Sequence, residues 1–192
     1  MIYVFQGTQG YVFLLVLMIG EGLGLPIPSE IIMPLVGYYS FLNQLNLVLG
    51  IIIGTLGSLV GSVIAYIIGL KLGYPFLSKY GKYLFIDNAR LMRLHNWFLK
   101  YGDIAVFSFR FVPEFRALIS YPAGVAQMRI IRFLVFTVLG HSIWDVILSL
   151  LGYHYANQIN YIITLAEKFG IYALAVTIIL IIIYVILRII KK

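Results

Sequence analysis

Long apolar runs alternate with short polar and basic segments along the chain. Three runs are long enough to cross a membrane, because about 20 helical residues span the hydrocarbon core; they are residues 47–70, 133–153 and 171–187. Residues 3–20 form a fourth run, long enough to cross or to lie partly in the interface. These runs predict an all-α integral membrane protein.

Two further stretches do not fit as simple spans. Residues 21–42 and 104–127 contain charges and at least two prolines each, although their surroundings are apolar, and prolines break helices. Each arm of a stretch has roughly 10 residues, or about 15 Å of helix, which is half a bilayer. Both stretches are therefore predicted to be re-entrant helical hairpins, and the residues that shape them are Pro26, Pro28, Pro113 and Gly124.

Composition agrees with this class of protein. The chain is 62% hydrophobic with a mean hydropathy of +1.00, and only 11% of its residues are charged, against about 25% in soluble domains. In so apolar a chain, the net charge of +7 indicates loops beside anionic lipid headgroups and no nucleic-acid partner. Cysteine is absent, which excludes disulfides and thiolate sites.

The distribution of basic residues predicts the orientation. Residues 71–103 carry six basic and two acidic side chains, so this segment is predicted to be cytoplasmic. Lys100 and Arg129 flank the second hairpin, which places both of its ends on the cytoplasmic side. The first hairpin precedes a span that runs inward, so it enters from outside. The two hairpins are thus inverted relative to each other.

Matching spacings in the two halves favour an internal repeat. A proline and a glycine are separated by eleven residues in both, and two glycines by twelve: Pro26 to Gly37 and Pro113 to Gly124, then Gly57 to Gly69 and Gly140 to Gly152. One four-residue insertion or deletion is needed between the halves. Gly50, Gly54, Gly57 and Gly61 also form a smooth helix face, which suits close packing and permits a homo-oligomer.

The predicted fold follows from these patterns. It consists of inverted repeats, each a re-entrant helical hairpin plus a transmembrane helix, with an additional C-terminal transmembrane helix. The parts of this single multi-pass membrane domain are repeat one at about 1–70, an amphipathic cytoplasmic linker at about 71–103, repeat two at about 104–153, and the C-terminal helix at about 170–190. The protein is expected in the cytoplasmic membrane of the cell with its C-terminus in the cytoplasm.

Charged side chains in the hairpins are the candidate functional residues. Arg110 and Arg116 lie on either side of Pro113, so a bend can bring both guanidinium groups to one anion, and arginine suits phosphate. The carboxylates of Glu21 and Glu30 can alternately pair with an arginine or take up a proton. Alternatively, glutamate–arginine pairs only neutralise each other and fasten the hairpins together.

Four residues have a further interpretation. Glu114 is either a local partner of an arginine or a further proton carrier. His141 and Asp145 lie four apart on one helix face, so they either hydrogen-bond each other as a packing pair or join a proton relay. Glu30 can also simply favour a helix N-terminus after Pro28.

These strings resemble the DedA family, also called SNARE-associated or VTT-domain membrane proteins, over about residues 10–155. The matching residues are Glu21, Pro26, Pro28 and Glu30, then Phe107, Arg110, Pro113 and Arg116, and then Ala123, Gly124, Met128, Phe133, Gly140, Trp144 and Gly152. Ser29 and Glu114 stand where the family often has glycine. The resemblance implies a multi-pass protein that moves lipids. Bacterial and archaeal members are linked to polyprenyl phosphate recycling or phospholipid flipping, and some depend on the proton gradient.

The leading hypothesis is accordingly a flippase- or scramblase-like transporter of a phosphate-bearing lipid, either a polyprenyl phosphate or a phospholipid, with protons as the candidate coupling ion. The alternative is a proton-coupled carrier of a small anion, and a purely structural membrane organiser is a third class. An enzyme is not expected, because the chain has no Gly-x-Ser-x-Gly or His-Glu-x-x-His string and its three histidines are scattered. No cofactor and no metal site are predicted.

Overall fold

The computed structural model describes residues 7–73, 88–112, 115–165 and 168. This part of the chain is helical apart from short turns and contains no strand. Its helices are α1 (Gly7–Leu23), α2 (Ser29–Phe41), α3 (Leu47–Ile68), α4 (Asn88–Phe109), α5 (Phe115–Leu118), α6 (Ser120–Val125) and α7 (Ile130–His154). A π-helical turn, Gly69–Gly73, extends α3, and a 3₁₀ turn, Ala156–Gln158, follows α7.

Among the described residues, two helices are long and apolar enough to cross a membrane. They are Leu47–Gly73 and Ile130–His154, which confirms long apolar helices at two of the predicted spans. The predicted C-terminal helix at about 170–190 lies outside the described residues, as do Pro113, Glu114 and residues 74–87 of the predicted linker.

The first helix break differs from the prediction for residues 21–42. Helix α1 continues past Glu21 to Leu23, and the break occupies residues 24–28. Glu21 does not end the helix, and its carboxylate has partners inside the protein. Gly24 does, since its φ of 98° lies in the left-handed region that favours glycine. The helices on either side of this break are α1, with 17 residues, and α2, with 13 residues, and α2 accommodates Pro34.

The second break follows α4. The predicted boundary between linker and second repeat, at 103/104, falls inside this helix, because no proline or left-handed residue interrupts residues 88–109. The chain then turns at Arg110 and re-enters helix at Phe115. Thus the stretch 104–127 begins in the last turns of α4 and continues, after the break, as the short helices α5 and α6.

Glycines of α3 allow α1 to approach closely, as predicted. A methyl group added at Gly57 would lie 2.9 Å from the carbonyl oxygen of Leu15, and one at Gly61 would collide with the carbonyl of Ile19. Residue numbers rise together in these contacts, so α1 and α3 run parallel. Small residues at such an interface let two backbones meet and increase the packing contacts available in a membrane.

The outer faces of the two long helices are apolar, whereas their inner faces carry polar groups. Along α3 the exposed side chains recur at every fourth residue: Val48, Ile52, Leu56, Val60 and Ile64. Along α7 they are Ile131, Val135, Leu139, Ile143 and Ile147. The buried sides instead carry serine, threonine, histidine and aspartate. An apolar exterior around a polar interior fits a lipid surrounding.

Candidate functional site

A buried ion pair joins the two helix breaks. Arg116 of α5 places Nε and Nη2 each 2.7 Å from Oε1 of Glu21, in the last turn of α1. Both side chains are almost completely buried. Glu30, in the first turn of α2, lies on the other side, with Oε1 3.8 Å from Nη1 of Arg116. Arg116 therefore lies between two carboxylates contributed by the first half of the chain.

Arg110 is also buried, but its guanidinium is bonded to neutral groups. It donates to the backbone carbonyl of Arg116, to Ser120 Oγ at 3.0 Å and to Thr137 Oγ1 at 2.9 Å. Its Cζ lies 5.8 Å from the centre of the Phe133 ring. Among the residues with described positions, no carboxylate forms an ion pair with Arg110. The sequence analysis expected both guanidinium groups to reach one anion; in the structure the two have different partners.

Three hydroxyls on one face of α3 form hydrogen bonds with titratable side chains of the site. Ser58 donates to Oε2 of Glu21 at 2.8 Å, and Thr55 donates to Oδ2 of Asp145 at 2.9 Å. The hydroxyl of Ser62 lies 3.2 Å from Nε2 of His141. His141 and Asp145 were expected to bond each other or to join a proton relay; in the structure the side chain of each is bonded to a hydroxyl of α3.

Sequence reasoning missed these hydroxyls, together with Ser120 and Thr137. A signal was available for the three on α3, because residues 55, 58 and 62 recur at helical spacing inside an apolar span. Such residues often bond across helices in membranes. The helix partner of each could not be read from the sequence.

Of the remaining predicted residues, the structure describes Pro26, Pro28 and Gly124. Pro26 and Pro28 lie in the first break, where Pro28 precedes α2 without a side-chain cap. Gly124 lies against the backbone of α3, since a methyl group there would collide with the carbonyl of Tyr66. A hydrogen bond of 2.7 Å from the Tyr121 hydroxyl to the Leu23 carbonyl ties the second stretch to the end of α1.

Several buried polar atoms of this site have no hydrogen-bond acceptor or donor in the described part of the chain. The donors are Arg110 Nε, Arg116 Nη1 and Trp144 Nε1; the acceptors include Glu30 Oε1 and Asp145 Oδ1. The guanidinium carbon of Arg116 lies 5.9 Å from the centre of the Trp144 ring. N–H groups of this kind can donate hydrogen bonds to a bound anion, and the neighbouring carboxylate oxygens can accept a proton.

The sequence profile of the VTT domain matches residues 27–154. The chain belongs to the VTT-domain family, also called the DedA family. This confirms the resemblance carried by the proline, arginine and glycine motifs. The matched region includes the second break and both long apolar helices, but it begins within the first break and after Glu21.

Curated relatives of this VTT-domain protein are similar over most of their length. Undecaprenyl phosphate transporter A of Bacillus subtilis is 37% identical, with 86% of this chain and 82% of the relative covered. The protein of the same name from Staphylococcus aureus is 34% identical, with 98% and 94% covered. An alkaline phosphatase-like protein of Lactococcus lactis is 36% identical, with 76% and 69% covered. No solved structure matches the chain.

Proposed function

We propose that this protein moves a phosphate-bearing lipid, a polyprenyl phosphate or a phospholipid, across the cytoplasmic membrane, and that protons move with it. The observation that carries the proposal is the position of Arg116 between Glu21 and Glu30 in a buried junction of two helix breaks. Two relatives named for undecaprenyl phosphate transport support the lipid class.

The proposal includes an inverted repeat of two re-entrant hairpins. Matching close contacts support it: Gly37 of α2 abuts the Ser149 carbonyl of α7, and Gly124 of α6 abuts the Tyr66 carbonyl of α3. The reciprocal contacts also match, since Gly152 abuts Pro34 and Gly69 abuts Tyr121. These are the glycine pairs that the sequence spacing related, so each half packs its second arm against the span of the other half.

Helix directions support opposed entry of the two hairpins. Helix α1 runs parallel to α3, so α2 must return to the side from which α1 started. Helix α4 runs parallel to α7, because Asp103 pairs with Arg132 and Phe107 meets Phe136 further along both helices. If α3 runs inward and α7 outward, the first hairpin enters from outside and the second from the cytoplasm.

Charge balance explains why protons would accompany the lipid. Of the described side chains in the cluster, three are carboxylates and two are arginines: Glu21, Glu30 and Asp145, with Arg110 and Arg116. Adding a phosphate would deepen this negative balance in a medium where unpaired charge is costly. In the proposed cycle, phosphate replaces a carboxylate on Arg116, and the released carboxylate takes up a proton. The guanidinium thus never loses its anion.

A reconstitution experiment tests the proposal. Liposomes containing the protein receive a labelled polyprenyl phosphate or a labelled phospholipid, a pH gradient is imposed, and movement between leaflets is measured. We expect Arg116→Gln to abolish movement and Arg93→Gln, an exposed arginine of α4, to retain it. Equal movement by the Arg116→Gln protein would contradict the assignment.

Two further measurements in the same experiment distinguish the competing functions. An entrapped, water-soluble short-chain phosphate should not move, whereas a carrier of small anions would export it. Release of inorganic phosphate from the lipid should stay at the level of empty liposomes. A protein-dependent release would instead indicate the hydrolytic activity suggested by the name of the Lactococcus relative.

A further inference from the structure

A second basic site lies between α4 and the start of α7 and shares no lining residue with the buried cluster. A cavity of about 150 Å³ opens there, lined by Phe98, Leu99, Asp103, Met128, Arg129 and Arg132. Arg132 and Asp145 both belong to α7 and are separated by thirteen residues, or roughly 20 Å along the helix. The cavity is therefore separate from the Arg116 site.

The lining divides into an apolar floor and a basic rim. Phe98 and Met128 are buried at the floor, whereas Arg129 is exposed and has no side-chain partner among the residues with described positions. Arg132 lies 3.5 Å from Asp103, and both of these side chains are partly exposed. Two arginines against one aspartate leave an excess positive charge at the rim.

Exposed apolar side chains surround this rim. Ile131 is 73% exposed and Ile130 is 41% exposed, both between the two arginines, while Leu99 projects from α4. In a membrane these side chains would lie among acyl chains directly beside the arginines. A cavity that joins cationic donors to acyl-chain contacts suits an amphiphile better than a free ion.

We propose that this cavity binds the phosphate headgroup of an anionic lipid. Arg129 and Arg132 hold the headgroup, and the acyl chains lie along Ile130, Ile131 and Leu99. Arg132 exchanges its weak, partly exposed contact with Asp103 for the lipid phosphate. Basic pockets between transmembrane helices bind anionic lipid headgroups through the same combination of charge and apolar surface. The site is independent of the transported lipid and of the Arg116 cluster.

Native mass spectrometry of the detergent-solubilised protein tests this inference. Phosphatidylglycerol and phosphatidylcholine of equal chain length are titrated, and the affinity of the first bound lipid is compared. We expect preference for phosphatidylglycerol, and about fivefold weaker binding of it for each of Arg129→Gln and Arg132→Gln. Arg93→Gln is the matched control, since Arg93 is exposed on α4 and does not line the cavity, and it should bind like the parent.

Two further variants keep the result interpretable. Arg129→Lys should restore most of the affinity, and Asp103→Asn should bind phosphatidylglycerol at least as tightly as the parent. Helical content and melting temperature verify that each variant folds. Parent-like binding by the Arg129→Gln/Arg132→Gln protein would overturn the site. Displacement of the lipid by equimolar inorganic phosphate would overturn its assignment to a lipid.

Discussion

Ser58 holds Oε2 of Glu21 through a buried hydrogen bond of 2.8 Å, which leaves Oε1 for the arginine of the second half. The hydroxyl thus fixes the carboxylate on the side facing away from the cation. Ser58→Ala should lower the free energy of unfolding by about 1.5–3 kcal/mol, the range for hydrogen bonds to charged groups, and should slow lipid movement. Denaturation in mixed micelles and the liposome assay measure the two effects.

Ser40→Ala provides the matched control for Ser58. Ser40 is a buried serine of α2, but its hydroxyl donates to the Val36 carbonyl of its own helix at 2.7 Å. Its removal leaves no charged group without a partner. Both quantities should stay close to those of the parent, and an equal loss in the two variants would mean that Ser58 acts only through packing.

Two of the three acid–arginine pairs in the described residues should differ strongly in their effect on stability. Glu21→Gln leaves the buried Arg116 without its nearest counter-charge, and breaking a buried pair costs about 3–5 kcal/mol. Asp103→Asn removes a pair whose partners are 34% and 52% exposed, and such pairs contribute up to about 1 kcal/mol. Unfolding free energies of the two variants in the same detergent provide the comparison. Similar losses would contradict the buried character of the Arg116 cluster.

The sequence predicted the charged partners better than the hydrogen bonds that hold them. Charges and prolines in apolar stretches identified Glu21, Glu30, Arg110 and Arg116, because few interactions stabilise a charge inside a membrane. A serine hydroxyl has more options: Ser40 bonds its own helix, whereas Ser58 bonds another. Which of the two bonds a serine forms depends on the register between packed helices, and this register cannot be read from the sequence. Likewise, the first break begins at the left-handed Gly24 and not at the charged Glu21.

The matching glycines of the two halves should be equally intolerant of a side chain. Gly37→Ala and Gly124→Ala each place a methyl group against a backbone carbonyl, which cannot move as a flexible side chain does. Overpacking of this kind costs about 1–3 kcal/mol. Gly102→Ala is the control, because its methyl group would lie 3.1 Å from the ring of Phe98 and 3.3 Å from the sulfur of Met128, both of which can adjust. If only one of the paired variants lost stability, the repeat would not extend to this contact.

Inverted orientation of the halves can be tested at two equivalent turns. Asn43 follows α2 and Gln127 follows α6; both are exposed, and both adopt left-handed backbone, with φ of 57° and 55°. A cysteine at either position bears a similar backbone cost of about 1–2 kcal/mol. The parent chain has no cysteine, so labelling has no background within the protein.

A membrane-impermeant maleimide should therefore modify the Asn43→Cys protein in intact cells. It should modify the Gln127→Cys protein only after permeabilisation, because the basic segments near the second hairpin orient that turn toward the cytoplasm. Labelling both variants in permeabilised cells verifies that each thiol is accessible. Modification of both from the outside would place the two turns on one side of the membrane. The proposal of opposed hairpins, and of a site reached from opposite leaflets, would then be wrong.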